Sequence, residues 1–111
     1  MKFKTTQKAI KNNYNKVVRV GYCGLQSLLN FEEPIAYTSN SNGWGCDVYV
    51  INNVAISTGY APFGNYEVDY KTCEKYEKLA SDIYSDYNAP FEERVERTKA
   101  LLLEFIEEVT K

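Results

Sequence analysis

Residues 43–60, GWGCDVYVINNVAISTGY, decide the fold. Two alternating apolar runs flank Asn52-Asn53. Asparagine tolerates the positive φ that both positions of a two-residue type I′ turn require. Placing the turn there fixes the hairpin register. On one face Ile51 pairs with Val54, Tyr49 with Ile56, Asp47 with Thr58 and Gly45 with Tyr60. On the other, Val50 pairs with Ala55, Val48 with Ser57, Cys46 with Gly59 and Trp44 with Ala61. The second face sets a larger residue against a small one at each rung, which lets a helix approach closely. It is therefore expected under the C-terminal helices. The first face, with Asp47, Thr58 and two tyrosines, is expected to be the wetter or binding face. The glycines do not form a phosphate loop, because no helix opens on them. Gly43 suits a positive-φ turn, and Gly45 and Gly59 suit close packing or a bulge.

The hairpin extends into a larger pattern. IAYTS (35–39) adds a strand, so 35–61 reads as a three-stranded antiparallel meander. VVRV (17–20) would make a fourth strand. TTQKAIKNNY (5–14) predicts a short helix capped by Thr5 or Thr6. YCGLQSLLNF (22–31) predicts a second, through Leu25, Leu28 and Leu29, ending before Pro34. Downstream, Cys73, Tyr76, Ala80, Ile83 and Tyr87 recur at helical spacing, as do Phe91, Val95, Thr98, Leu102, Phe105 and Val109. Asp69 can cap the first of these helices, and Pro90 suits the first turn of the second. The expectation is one α+β domain over residues 1–111. Short helices and a strand fill 1–34, the meander 35–61, and a helical hairpin 69–110 packs on the sheet. A solvent-facing heptad seam, giving a homodimer, is the alternative use of the helical stripes.

Composition narrows the function. With 111 residues, 44% hydrophobic and 25% charged, the chain can bury a core without metals or disulfides. It has no apolar run long enough to cross a membrane, and its first residues do not resemble a secretory signal. There is no histidine, so Ser-His-Asp and Cys-His catalysis are excluded. The three cysteines, Cys23, Cys46 and Cys73, lack zinc-site spacing and are expected as free thiols in a reducing cytosol. Asp47 with Asp69-Tyr70-Lys71 faintly matches a metal-dependent nuclease. However, Asp69 falls at a helix start rather than on a neighbouring strand. No cofactor, metal or catalytic residue is expected.

Charge is uneven although the net is only -2. Lys2, Lys4, Lys8, Lys11, Lys16 and Arg19 fill residues 1–19 with no acid among them. They are the candidate nucleic-acid contacts of an accessory protein. Residues 65–111 hold twelve acids against seven bases, which could meet a basic groove on a protein that normally holds nucleic acid. Tyrosine, with ten copies, is rich for an interface-forming chain. Tyr37, Tyr49 and Tyr60 alternate correctly for one aromatic patch.

Three segments, KTTQKAIKNNY (4–14), VGYCGLQSLL (20–29) and PIAYTSNSNGWGCDVYVINNVAISTGYAPFG (34–64), carry a family resemblance in their order and spacing. They resemble small uncharacterised proteins carried on conjugative and phage-like elements of Gram-positive bacteria. Small, tyrosine-rich, slightly acidic proteins of such elements include the anti-CRISPR proteins of type II-A systems, and the chain is similar to that class. The resemblance implies a non-enzymatic inhibitor in the bacterial host cytoplasm. It would bind the type II CRISPR RNA-guided nuclease and block guide loading or target DNA binding. No family motif maps onto single residues, so the candidate contacts are physical: Tyr37, Asp47, Tyr49 and Tyr60 on the sheet, and Glu93, Glu104 and Glu108 on the last helix. A nucleic-acid mimic carries far more negative charge than -2, so a mixed aromatic and acidic interface is expected.

Overall fold

The computed structural model describes residues 2–21, 25–39 and 42–111. The Asn52-Asn53 turn is where the pattern places it, with φ of 49° and 64°. It joins β4 (Gly45–Ile51) to β5 (Val54–Gly59), and the register from Ile51↔Val54 to Cys46↔Gly59 is the expected one. β3 (Ala36–Ser39) pairs antiparallel with β4. The two-strand and three-strand pattern is thus as read from sequence.

The rest of the sheet is not a meander. β2 (Lys16–Val20) lies beside β5 in parallel, Val18 opposite Ile56. Two short strands complete the edges: β1 (Phe3–Lys4) parallel to β3, and β6 (Tyr66–Glu67) parallel to β2. The six described strands run in the order β1-β3-β4-β5-β2-β6. Five point the same way and β4 alone opposes them. β2 can sit inside the sheet because its residues are apolar on both faces, as a parallel interior strand requires. Val17, Val18 and Val20 are all buried.

Each face of the sheet has its own core, and this corrects the expected face assignment. The helical hairpin, α2 (Tyr70–Tyr84) and α3 (Phe91–Val109), packs on the face bearing Val18, Val20, Val54 and Ile56. The Val48 and Cys46 face is instead covered by α1 (Gln7–Asn13) through Ile10, and by Phe63 from the loop after β5. The small residues opposite Val48 do admit a helix, but the short α1 rather than the hairpin. The bulky Phe105, Leu102 and Ile106 of α3 need the larger apolar surface of the branched side chains.

Local signals place the helices. The Thr6 hydroxyl accepts from the Ala9 N–H at 3.1 Å and caps α1. The Asp69 carboxylate accepts from the Thr72 N–H at 2.8 Å and caps α2. Hydrogen bonding from Thr72, its side chain first and then its N–H, holds the Asp69 carboxyl below its ordinary range. The helix expected over 22–31 is not formed by its described part. Residues 25–31 run as turns, with buried Leu25 at φ 50°. The Glu77 carboxylate of α2 accepts from the Ser27 N–H at 2.6 Å and ties this segment to the hairpin. Residues 22–24 and 40–41, including part of that helix and of the turn before Gly43, lie outside the described residues. The apolar stripes of α2 and α3 are occupied within the chain, although Tyr87 and Phe91 at the hairpin tip are exposed. Among the described residues, no helix is long and apolar enough to cross a membrane. Cys46 is a free thiol, whereas Cys73 is disulfide-bonded. This corrects the expectation of free thiols for Cys73.

Two substitutions check this packing. Phe105→Ala empties a fully buried site between hairpin and sheet and is expected to destabilise by about 3–5 kcal/mol. Gly45→Ala places a methyl on the Thr38 carbonyl oxygen of the neighbouring strand and is expected to cost about 1–3 kcal/mol. Urea denaturation measures both. A loss below about 0.5 kcal/mol for either, the range of surface substitutions, contradicts this packing.

Candidate functional site

Because five strands share a direction, their carboxyl ends lie along one edge of the sheet. Asp47 sits opposite Tyr37 on one side and Thr58 on the other, and two adjoining hollows meet there. The larger is about 750 Å³ and includes Arg19, Asp47, Tyr49, Thr58 and Tyr60 in its wall. The smaller, about 520 Å³, is walled by Lys2, Tyr37, Asp47, Thr58 and Tyr60 among others. Four of the sequence candidates, Tyr37, Asp47, Tyr49 and Tyr60, therefore share one open region.

Aromatic rings form its rim. Tyr60 is 84% exposed, Trp44 54% and Tyr37 37%. Trp44 and Tyr60 meet edge to face with centroids 5.3 Å apart. The expected ladder pairs Gly45–Tyr60 and Trp44–Ala61 do not extend the strand register. Instead the Tyr60 and Ala61 amides both donate to the Gly45 carbonyl, at 3.1 and 3.4 Å. Gly59 at φ 147° makes this bulge-like turn, and a Cβ on it would press on Cys46. The turn brings Tyr60 against Trp44. Trp44 is the residue that sequence reasoning left out of the site. The glycines beside it were the available signal, since a bulge re-aims side chains next to it.

Charges on this face are balanced. Lys2 Nζ donates to Asp47 Oδ1 at 2.9 Å and lies 5.7 Å from the Tyr37 ring centre. The hydrogen bond to Asp47 raises the Lys2 pKa. Burial, and then the Asp47 charge, raise the Tyr49 phenol. So Tyr49 stays protonated, and able to donate, to higher pH than an ordinary tyrosine.

The remaining candidates lie elsewhere. Glu93, Glu104 and Glu108 share one line along α3, but Glu93 is about 22 Å along the helix from Glu108. Arg97 interrupts the line and binds Asp86 at 2.9 Å. Glu108 accepts from Lys75 at 3.3 Å and from the Tyr76 hydroxyl at 3.2 Å. Burial and Glu108 raise the Tyr76 phenol. The basic residues are also divided. Lys2 and Lys4 flank or occupy β1, Lys8 and Lys11 lie on α1 across the sheet, and Lys16 and Arg19 are on β2. Lys2 is already paired with Asp47, and Lys11 lies 6.0 Å from the Phe63 ring centre. They do not form one stripe.

The two aspartates of the nuclease pattern have separate structural tasks, Asp47 with Lys2 and Asp69 at the α2 cap. Among the described residues, no three His, Cys, Asp or Glu side chains converge to hold a metal. No protein-family model, curated protein or solved structure matches the chain.

The tyrosine environment is testable. Tyr49 is expected to titrate above the ordinary phenol value of about 10, and Asp47→Asn to lower it only in part, because burial is the larger cause. Carbon-13 NMR of the phenol ring reads this directly. Since the folded pKa is raised, the proton is held longer in the folded state. Stability from this group is present below the unfolded value and declines as pH rises through the folded one. Titration of Tyr49 at or below the ordinary value would mean that the phenol is not shielded as its burial beside Asp47 requires.

Proposed function

We propose that the chain is a non-enzymatic binding protein whose partner docks on the carboxyl edge of the sheet. In this reading the partner is the RNA-guided nuclease of a type II CRISPR system, and docking blocks guide loading or target DNA binding. The exposed rim of Tyr60, Trp44 and Tyr37 carries the binding reading. Large aromatic rings grouped at the mouth of a hollow are the side chains that anchor protein interfaces. The absence of histidine also favours binding over hydrolytic chemistry. The choice of partner rests on the resemblance carried by residues 4–64. Glu93 and Glu104, exposed on α3, would add contacts only to a partner large enough to span both the sheet edge and the hairpin. The divided placement of the lysines gives no comparable support to a nucleic-acid contact.

The reading places the chain in the bacterial host cytoplasm, where thiols are kept reduced. It therefore requires binding to survive reduction of the Cys73 disulfide. A pull-down with purified nuclease, with and without guide RNA and with and without reductant, tests this. Retention of the nuclease under reducing conditions is expected. Tyr60→Ala and Trp44→Ala are each expected to cost about 2 kcal/mol, roughly thirtyfold in Kd. Failure to retain the nuclease in every condition removes this partner. DNA binding that falls steeply with salt, in the absence of nuclease binding, would replace it with the nucleic-acid reading.

A further inference from the structure

The turn that leads into Trp44 carries a chemistry that the partner reading does not use. Of the asparagines, Asn42 alone is followed by glycine. The side-chain amide of an asparagine can be attacked by the main-chain nitrogen of the next residue, closing a five-membered ring. A side chain on that next residue crowds the attack, and glycine has none.

The fold leaves this pair open. Asn42 and Gly43 are both exposed. Gly43 has a φ of 82°, in the region that favours glycine, and a Cβ built there meets nothing within 4 Å. Among the described residues its N–H makes no hydrogen bond. The attacking nitrogen is therefore uncommitted and approachable. Other asparagines lack this combination. Asn52 and Asn53 are exposed too, but Asn53 and Val54 each put a side chain beside the attacking nitrogen, branched at Val54. The Asn65 side chain is held at both ends. Its Oδ1 accepts from the Val17 N–H at 2.9 Å, and its Nδ2 donates to the Asn15 carbonyl at 3.2 Å. Position gives the pair its interest. Gly43 walls the smaller hollow with Lys2 and Tyr37, and Trp44 of the rim follows it directly.

We propose that Asn42–Gly43 is a self-modifying site at the aromatic rim, converting to aspartate and isoaspartate without an enzyme. The Gly43 nitrogen gives its proton to hydroxide and bonds to Asn42 Cγ. The Cγ–Nδ2 bond breaks, and Nδ2 takes up a proton and leaves as ammonia. Water then opens the resulting succinimide at one of its two carbonyls. One opening restores the normal main chain, with aspartate at position 42. The other routes the main chain through Cβ and adds one backbone carbon ahead of Gly43 and Trp44. Either product adds one negative charge to an edge where Lys2 is paired with Asp47. Isoaspartate also lengthens the turn that leads into Trp44.

Incubation of the purified chain alone at mildly alkaline pH, folded and in urea, tests this by peptide mass mapping. The Asn42 peptide is expected to show the mass change of an amide replaced by an acid. An isoaspartyl methyltransferase with S-adenosylmethionine is expected to label it, which separates isoaspartate from aspartate of equal mass. The rate is expected to rise with pH, because the attacking nitrogen must lose its proton. Conversion at Asn42 is expected to exceed that at Asn52 or Asn53 by at least about tenfold, and the folded rate to lie within about tenfold of the unfolded one. Asn42→Gln, which would have to close a larger ring, is expected to abolish the labelling. Absence of conversion at Asn42, a smaller preference over Asn52 and Asn53, a folded rate more than about tenfold below the unfolded one, or labelling that persists in Asn42→Gln overturns the proposal. The site lies on the edge assigned to the partner, but its chemistry needs none. A failed nuclease pull-down therefore leaves it standing, and an unchanged Asn42 leaves the partner reading standing.

Discussion

The parallel pairing of β2 with β5 is the constraint on which the rest of the molecule depends. Val18 lies opposite Ile56 and Val17 opposite Ala55. Successive residues of one strand therefore supply both cores, Val17 to the α1 side and Val18 with Val20 to the hairpin side. A strand apolar on both faces has no stable place at a sheet surface, which is why it is taken into the interior. The same pairing leaves β6 to cover the outer edge of β2, where Asn65 and Val68 donate to the Val17 and Arg19 carbonyls. An edge that would otherwise be open to another strand is thereby closed.

What could be read in the sequence follows the range of the interaction responsible. The Asn-Asn hairpin was legible to the single register, because turn geometry and alternation are local and agree. The helices at 70–84 and 91–109 were legible because caps and apolar stripes lie within them. The β2–β5 pairing joins segments far apart in the chain, and nothing local in VVRV names its partner. The two-residue strands β1 and β6 are too short to leave an alternating signature. Face assignment failed for a related reason. A sheet buried on both sides has two apolar faces, and the contrast of large and small side chains tells that something approaches, not which helix. Leu25, Leu28 and Leu29 were correctly core residues, but the positive φ at Leu25 and the Glu77 contact replace a regular helix with turns.

The candidate site was legible to a similar degree. Tyr37, Asp47 and Tyr49 follow from period two, once the register is known. Tyr60 was placed on the right region for a partly wrong reason, since the Gly59 turn rather than ladder alternation sets its position. Trp44 was missed because it reaches the rim only through that turn. Burial also divides the tyrosines in function. Tyr49 is half-buried against the hairpin core while Tyr60 stands free of it. Tyr49 is suited to fix the floor of the site, and Tyr60 to meet whatever enters.

Ion pairs offset part of the charge asymmetry of the sequence, and this bears on how the surface can act. Lys2 meets Asp47, Lys75 meets Glu108, Arg97 meets Asp86, and Lys99 lies near Glu32. Lys75–Glu108 and Arg97–Asp86 lie within the acidic end itself, whereas Lys2 and Lys99 reach acids of the middle of the chain. Such exposed pairs add little stability, but at the sheet edge Lys2 offsets the charge of Asp47 and so weakens the field that would draw a partner to that edge from a distance. A surface built this way discriminates at contact. Under the proposed function, recognition depends on the shape of the carboxyl edge and its aromatic rim more than on the field of the whole molecule. That argues against imitation of a nucleic-acid backbone, for which dense charge of one sign is the essential feature. It favours an interface whose energy comes from desolvating Tyr60 and Trp44.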